Sequence, residues 1–321
     1  MKLLAECKVL VTPTSYGRED PMLKSELENS VREVVYNMTG KPLSSSDLMM
    51  LLPGVDGYIA GLDEIDSAAL AAADQLQVIT RYGVGVDNVD LEFCKSKGIC
   101  VTNTPGANSG SVAELAMGLI LCLLRKIPFA IEETRLGEWP RLQGLSLHGK
   151  TIGLLGFGRI GQQMASRLAP FGCSVLAHDP NIKTNLGFQV EMTSLNDLLQ
   201  RSDLVSLHLP AAPGTIDMVN RDFLDQMKVG AYLVNTSRGE LIVESDLLEA
   251  MNNGHLTGAA LDVFRRQPPD PGSPILTHPK VLVTPHMGAH SDDATNQMGW
   301  MALRECLNVL QGNDPQYPVI I

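Results

Sequence analysis

Positive charge is in deficit in this chain: 25 lysines and arginines face 36 aspartates and glutamates, for a formal net charge of −11. A nucleic-acid partner normally shows as a basic field or stripe, so none is expected. An anionic substrate would need a locally positive pocket to offset the global repulsion. Long apolar runs are also missing. The most apolar stretch, Val112 to Leu124, is interrupted by Glu114 and too short to span a bilayer, so no membrane partner is expected. The six cysteines (Cys7, Cys94, Cys100, Cys122, Cys173, Cys306) include no CxxC pair. Reduced, mostly buried thiols are expected rather than a disulfide framework, and no metal site is called for. The opening segment carries Glu6 and has neither a signal-peptide apolar region nor a small-residue cleavage site. Repeats and low-complexity segments are absent. A cytoplasmic protein is the expectation.

What is present is ordinary globular material, 44% hydrophobic and 19% charged over 321 residues, enough for two domains. Short apolar runs alternate with helical patterns, the mark of parallel sheets wrapped by helices. Lys8–Thr12, Gly57–Ala60, Val78–Arg81 and Cys100–Asn103 read as strands of a first unit, with helical composition over Met22–Asn37 and Asp66–Ala73. Six further strands are predicted at Thr151–Leu155, Ser174–Ala177, Leu204–Leu207, Ala231–Asn235, Gly258–Asp262 and Val281–Thr284. Six is the number a complete dinucleotide-binding sheet needs. A long helix is expected over Asp292–Leu310, packed back on the first unit.

The strand Thr151–Leu155 runs into Gly156-Phe157-Gly158-Arg159-Ile160-Gly161, a GxGxxG with a strand before it and a helix after it. Gly156 permits the tight turn, Gly158 admits the pyrophosphate, and Gly161 lets helix and strand pack closely. The helix N-terminus, at Arg159 and Ile160, offers N–H groups and a positive dipole end to phosphate. Asp179 follows Gly161 by eighteen residues, at the end of the next strand. A carboxylate there accepts from the adenosine ribose hydroxyls and repels the extra phosphate of NADP. Pro180 and Asn181 follow it rather than an arginine, so NAD is the expected cofactor.

Three later strand ends carry polar residues: Asn235-Thr236-Ser237-Arg238-Gly239, Asp262-Val263-Phe264 and Thr284-Pro285-His286. Ligands of open α/β sheets sit outside the carboxyl ends of the strands. These segments, with Arg81-Tyr82-Gly83-Val84-Gly85-Val86-Asp87-Asn88, Asn103-Thr104-Pro105-Gly106 through Glu114, Ser206 through Pro210, and His286-Met287-Gly288, resemble the D-isomer-specific 2-hydroxyacid dehydrogenase family. Its phosphoglycerate-dehydrogenase and hydroxypyruvate-reductase branch is the nearer. The resemblance implies an α/β fold of two Rossmann-like doubly wound parallel-sheet domains with an active-site cleft between them. Residues 1–103 plus 292–321 would form the substrate domain and residues 104–291 the NAD-binding domain. A homodimer through about residues 107–139, where an apolar helix precedes Trp139, is also implied.

The same resemblance implies roles. His286 would exchange the proton of the substrate oxygen, since imidazole titrates near neutrality. Arg238 would hold the carboxylate in a bidentate fork and polarise the carbonyl. The Val84 and Gly85 N–H groups would hold the other carboxylate oxygen, and Arg81 would reach an anionic tail. Asp262 would receive the nicotinamide carboxamide, with Thr236 and Gly288 also at the cofactor. His208 reads as structural on the adenine side, Asp87 and Asn88 as turn-forming, and His290 as either a supporting group or a solvent-facing one.

Two departures stand out. The family pairs its histidine with a glutamate about 29 residues after the arginine, and here that position is Gln267. Glutamine can orient the ring but adds no charge. Three outcomes follow: a dehydrogenase whose acid limb lies at lower pH, which is the favoured expectation; a reaction needing no proton relay, as in formate dehydrogenases; or another acid, such as Asp270, in the vacated role. An arginine that phosphoglycerate dehydrogenases carry near the second strand end appears as Gly61, which predicts a substrate smaller than 3-phosphoglycerate or one with a different anion. No long C-terminal regulatory domain is expected after Ile321. A non-catalytic NAD-sensing regulator is the rival from another class.

Overall fold

The computed structural model describes residues 2–319, which fall into two compact units. One comprises the residues up to Asn108 together with those from Ala289 onward, and the other is Ser109–Gly288.

In the first unit, β1 (Lys8–Val11), α1 (Met22–Ser30), β2 (Glu33–Tyr36), α2 (Ser45–Leu51), β3 (Gly57–Ala60), α3 (Ser67–Ala71), β4 (Val78–Arg81), α4 (Leu91–Lys97) and β5 (Cys100–Thr102) follow one another along the chain. All strands are parallel in the order β2-β1-β3-β4-β5, which is flavodoxin-like. Successive side chains of a strand face opposite sides. Leu10, Tyr58, Ala60 and Ile79 thus enter one core layer, and Val9, Val11, Ile59 and Val78 the other. Helices α2, α3 and α4 start behind Ser44, Asp66 and Asp90, whose side chains each accept the N–H three residues on.

One prediction fails here. The helix expected over Met22–Asn37 ends at Ser30, and Val31 is already extended with φ −125°. The residues that follow pair in register with β1 as an edge strand, Lys8 opposite Glu33 and Val11 opposite Tyr36. The β-branched Val34 and Val35 favour this state, and a partly exposed edge strand tolerates the flanking charge that masked it.

The second unit opens with α5 (Ser109–Arg125) and α6 (Ile127–Arg135). Its sheet is built from β6 (Thr151–Leu155), α7 (Arg159–Leu168), β7 (Ser174–His178), β8 (Glu191–Met192), α8 (Leu195–Arg201), β9 (Leu204–Leu207), α9 (Arg221–Gln226), β10 (Ala231–Asn235), α10 (Glu244–Asn252), β11 (Leu256–Leu261), α11 (Pro274–Thr277) and β12 (Val281–Val283). The order is β12-β11-β10-β9-β6-β7-β8, all parallel, so β6 sits at the centre where the winding reverses. Seven strands replace the six expected. The addition, β8, is a two-residue edge strand too short for any periodicity to reveal. One face of the sheet packs Ile152, Leu154 and Val234 against Ala116, Ile120 and Met164 of α5 and α7. The other packs Leu155, Leu207 and Leu233 against α8, α9 and α10. Glu114, the one charge inside the apolar α5, pairs with Arg167 of α7 at 2.9 Å.

The last helix, α12 (Asp292–Leu310), contributes Ala302, Leu303, Cys306 and Leu310 to the first unit's core, as expected. No helix among the described residues is long and apolar enough to cross a membrane.

Candidate active site

The turn after β6 has the geometry its glycines require. Gly156 has φ +97°, and a Cβ there would lie 2.4 Å from the His208 carbonyl oxygen. At Gly161 a Cβ would lie 2.3 Å from the Gly156 oxygen, so α7 packs directly on the turn. Gly158 faces open space and, as N-cap of α7, offers no capping side chain, which leaves the first-turn N–H groups at Arg159 and Ile160 available for an anion. Asp179 anchors this turn. Its Oδ2 accepts from the Phe157 N–H at 2.8 Å, and its Oδ1 from the N–H groups of Asn181 and Ile182 at 2.8 and 3.1 Å.

Three buried polar atoms at the carboxyl ends of β9 and β10 bond to nothing among the described residues: Ser206 Oγ, His208 Nε2 and Thr236 Oγ1. Unsatisfied buried polar groups are costly, so a cluster of them marks a place where a polar ligand completes the site. With the open cradle at Gly158, they fit a dinucleotide. Burial pushes the His208 imidazole down to about 4, so it is neutral at physiological pH.

Along the same carboxyl edge of the sheet, beyond β12, His286 and Gln267 are in contact. Gln267 Nε2 donates to the Phe264 carbonyl at 3.1 Å, which turns Oε1 toward His286 Nδ1 at 2.5 Å. An amide oxygen only accepts, so Nδ1 carries the proton and Nε2 is the basic nitrogen of the ring. His286 itself lies in the left-handed region, φ +52°, unusual for a side-chain-bearing residue. Asp262 holds it there. The Asp262 carbonyl accepts the His286 N–H at 2.8 Å, its Oδ1 accepts from Thr284 Oγ1 at 2.6 Å and the Met287 N–H at 2.9 Å, and its Oδ2 accepts from the Gly288 N–H at 2.9 Å. Asp262 is fully buried.

Arg238 follows β10 in a turn tied by Asn235, whose Nδ2 donates to the Arg238 carbonyl at 2.8 Å and whose Oδ1 accepts from the Ser237 N–H. Its Nη1 donates to the Ser237 carbonyl at 2.7 Å. The next residue, Gly239, lies so close to the Phe264–Arg265 backbone that a Cβ would meet it at 1.9 Å. The Arg238 turn therefore packs on the segment that presents Gln267.

In the first unit, Val84 and Gly85 lie on the loop after β4. Arg81 at the strand end is buried, 3% exposed. Its Nε donates to the Gly85 carbonyl at 3.1 Å and its Nη1 to the carbonyls of Ala60 and Gly61.

Sequence reasoning did not single out Asn235, Thr284 or Asn103, whose side chains tie these turns. Each lies inside a motif that had been noted, but only coordinates show what its side chain reaches.

Comparison with known proteins agrees with this geometry. Residues 117–288 match the family described as D-isomer specific 2-hydroxyacid dehydrogenase, NAD binding domain. The chain is 38% identical over 285 residues to the hydroxypyruvate reductase of Thermotoga maritima, covering 87% of this chain and 93% of that one. It is 43% identical over 245 residues to the D-3-phosphoglycerate dehydrogenase of Methanocaldococcus jannaschii, covering 75% of this chain and 47% of that one. The chain thus spans about half the length of some curated relatives it matches. Among solved structures, the NAD-dependent formate dehydrogenase of Staphylococcus aureus in complex with NAD superposes with a TM-score of 0.88 at 29% identity, covering 98% and 99% of the two chains.

Proposed function

Because the chain belongs to the D-isomer-specific 2-hydroxyacid dehydrogenase family, we propose that it interconverts a small 2-hydroxy acid and its 2-oxo acid with NAD as cofactor. The observation that carries the proposal is the Gln267–His286 bond, which orients the imidazole and fixes the tautomer whose basic nitrogen is Nε2. Bound NAD supplies the hydride acceptor, or NADH the donor. In oxidation, His286 Nε2 takes the hydroxyl proton as the C2 hydrogen leaves with its electron pair. In reduction the same atom returns a proton to the carbonyl oxygen. Arg238 grips the carboxylate and polarises the C2 oxygen. The N–H groups of Val84 and Gly85 receive the remaining carboxylate oxygen. Gly156, Gly158, Arg159, Ile160, Gly161 and Asp179 take the pyrophosphate and ribose, while Thr236, Asp262 and Gly288 line the nicotinamide end.

The test follows NADH absorbance against glyoxylate, hydroxypyruvate, pyruvate, 3-phosphohydroxypyruvate and sulfopyruvate, with formate plus NAD as the reverse control. Turnover of one oxo acid supports the proposal and names the substrate. The neutral Gln267 favours one second reading, hydride removal from a substrate with no proton to relay, and turnover of formate alone would establish it. Tight NADH binding without any turnover would make the protein a sensor.

The second unit also supports a homodimer. Helix α6 buries none of its residues, and Phe129, Ile131, Leu136 and Trp139 stand exposed along 127–139, Trp139 at 84%. A groove of about 530 Å³ between α5 and α6 is lined by Arg125, Ile127, Ala130, Ile131, Thr134 and Arg135. Exposed apolar patches with aromatic anchors are typical of interfaces. Sedimentation at twice the chain mass is the expected result, and a monomer would contradict it. A cytoplasmic location fits the six free thiols.

A further inference from the structure

The loop after β4 is held by its carbonyls. The Gly83 carbonyl accepts from the Thr104 N–H at 3.0 Å, the Val84 carbonyl from Asn103 Nδ2 at 2.8 Å, and the Gly85 carbonyl from Arg81 Nε at 3.1 Å. Three consecutive carbonyls are thus bonded, each to a donor from a different residue. The N–H groups of Gly83, Val84, Gly85 and Val86 have no acceptor among the described residues. The loop is a row of donors, fixed through their carbonyls and bonded to no acceptor among the described residues, the pattern that binds an anion.

Arg81 is the centre of this arrangement. Two adjacent loops meet at its guanidinium, because its Nη1 also donates to the Ala60 and Gly61 carbonyls. A second network fixes Gly61 from the other side: its N–H donates to Thr12 Oγ1 at 2.9 Å and to the buried Asp63 Oδ2 at 3.0 Å. A buried guanidinium whose Nε and Nη1 are directed at three main-chain oxygens is committed on that side to holding backbone rather than to meeting a variable group on a ligand.

We infer that Arg81, with Asn103, is a positioning residue that locks the Gly83–Gly85 donors in place for any 2-oxo acid, and is not the hook for a second anion on the substrate. The consequence concerns specificity. Discrimination among oxo acids by their far ends must come from elsewhere, and a defect at Arg81 must affect the smallest substrate as much as the largest. The inference rests on the proposed dehydrogenase reading for its kinetic form only.

The experiment compares wild type, Arg81→Lys and Asn103→Ala with glyoxylate and with 3-phosphohydroxypyruvate. Lysine keeps the charge but cannot bridge the Gly85 carbonyl and the Ala60–Gly61 pair with one planar fork. Expected is a rise in KM of about tenfold for Arg81→Lys, and less for Asn103→Ala, by the same factor for both acids. The kcat should change less than KM, and NADH affinity should stay unchanged, which separates positioning from general structural damage. Loss confined to 3-phosphohydroxypyruvate, or no loss with either acid, would overturn the inference. Should wild type turn over neither of these two acids, the anchor is judged by amide exchange at Thr104, whose N–H rests on the Gly83 carbonyl; the dehydrogenase reading itself fails only if no 2-oxo acid of the panel is turned over. Faster exchange in both variants supports the anchor, and unchanged exchange refutes it.

Discussion

The two units fix their functional loops with anchors of opposite polarity. In the first, the donors of Arg81 and Asn103 grip carbonyls and leave N–H groups with no acceptor among the described residues. In the second, the carboxylates of Asp179 and Asp262 grip N–H groups, at Phe157 in the glycine turn and at Met287 and Gly288 beside His286. A backbone turn has both kinds of group, and a buried anchor chooses which kind stays available. A cationic anchor leaves donors, suited to a carboxylate. An anionic anchor consumes some donors and shapes the turn: at Asp179 it fixes the glycine turn while the Arg159 and Ile160 N–H groups stay available, and at Asp262 it shapes a turn that presents a side chain. At Asp262 the second effect reaches its limit, because three donors converge on one buried carboxylate to hold His286 at φ +52°.

The comparison is broken most severely at the side chain being presented. His286→Ala removes the atom proposed to exchange the proton and should lower kcat by about 10² to 10⁴-fold with NADH affinity preserved, measured by steady-state rates and calorimetry. Next comes the anchor itself. Asp262→Asn sets an NH2 group against at least one N–H or hydroxyl donor, leaving a buried group unpaired. That should cost about 1–3 kcal/mol in thermal unfolding and lower kcat by about ten- to a hundredfold. Unchanged kcat with only weakened NADH binding would mean that Asp262 serves the cofactor and not the His286 turn.

Gln267→Glu gives a sharper, smaller effect. It places a carboxylate against His286 Nδ1, where Gln267 Oε1 now lies at 2.5 Å, and should move the alkaline limb of the reductive rate profile, where the imidazolium is lost, to higher pH by about one unit or more. An unmoved limb would show that the pair does not govern the proton. The smallest effect falls on stability. Because burial holds His208 down at about 4, the unfolded chain binds a proton there that the native state refuses. His208 therefore destabilises the fold as pH falls from about 6.5 toward 4, by at most about 3 kcal/mol, and has no such effect at neutrality. His208→Gln should flatten this part of the melting-temperature profile, and an identical profile would contradict the account.

Much of the architecture was legible because parallel strands buried on both faces read as short apolar runs, as Thr151–Leu155 and Ala231–Asn235 do. Edge strands escape that rule. β2 follows α1 without a turn signal, and β8 is only two residues long. In the site, Gly156, Arg238, His286 and Gln267 could be located by motif and spacing. The direction of a guanidinium could not. Arg81 in its motif reads as an anion hook, and only the folded loops show its Nε and Nη1 on the Ala60, Gly61 and Gly85 carbonyls. The φ of His286 and the convergence on Asp262 are likewise properties of a folded turn, invisible in residue identities.

The most direct test of the central claim is isotopic. NADH doubly deuterated at nicotinamide C4 is incubated with the protein and a 2-oxo acid such as hydroxypyruvate, and the product is analysed by mass and by NMR. The account predicts one deuterium on C2 of a single enantiomer of the hydroxy acid, lost when His286 is replaced by alanine. A product without deuterium, or no product from any oxo acid while NADH binds, would contradict it.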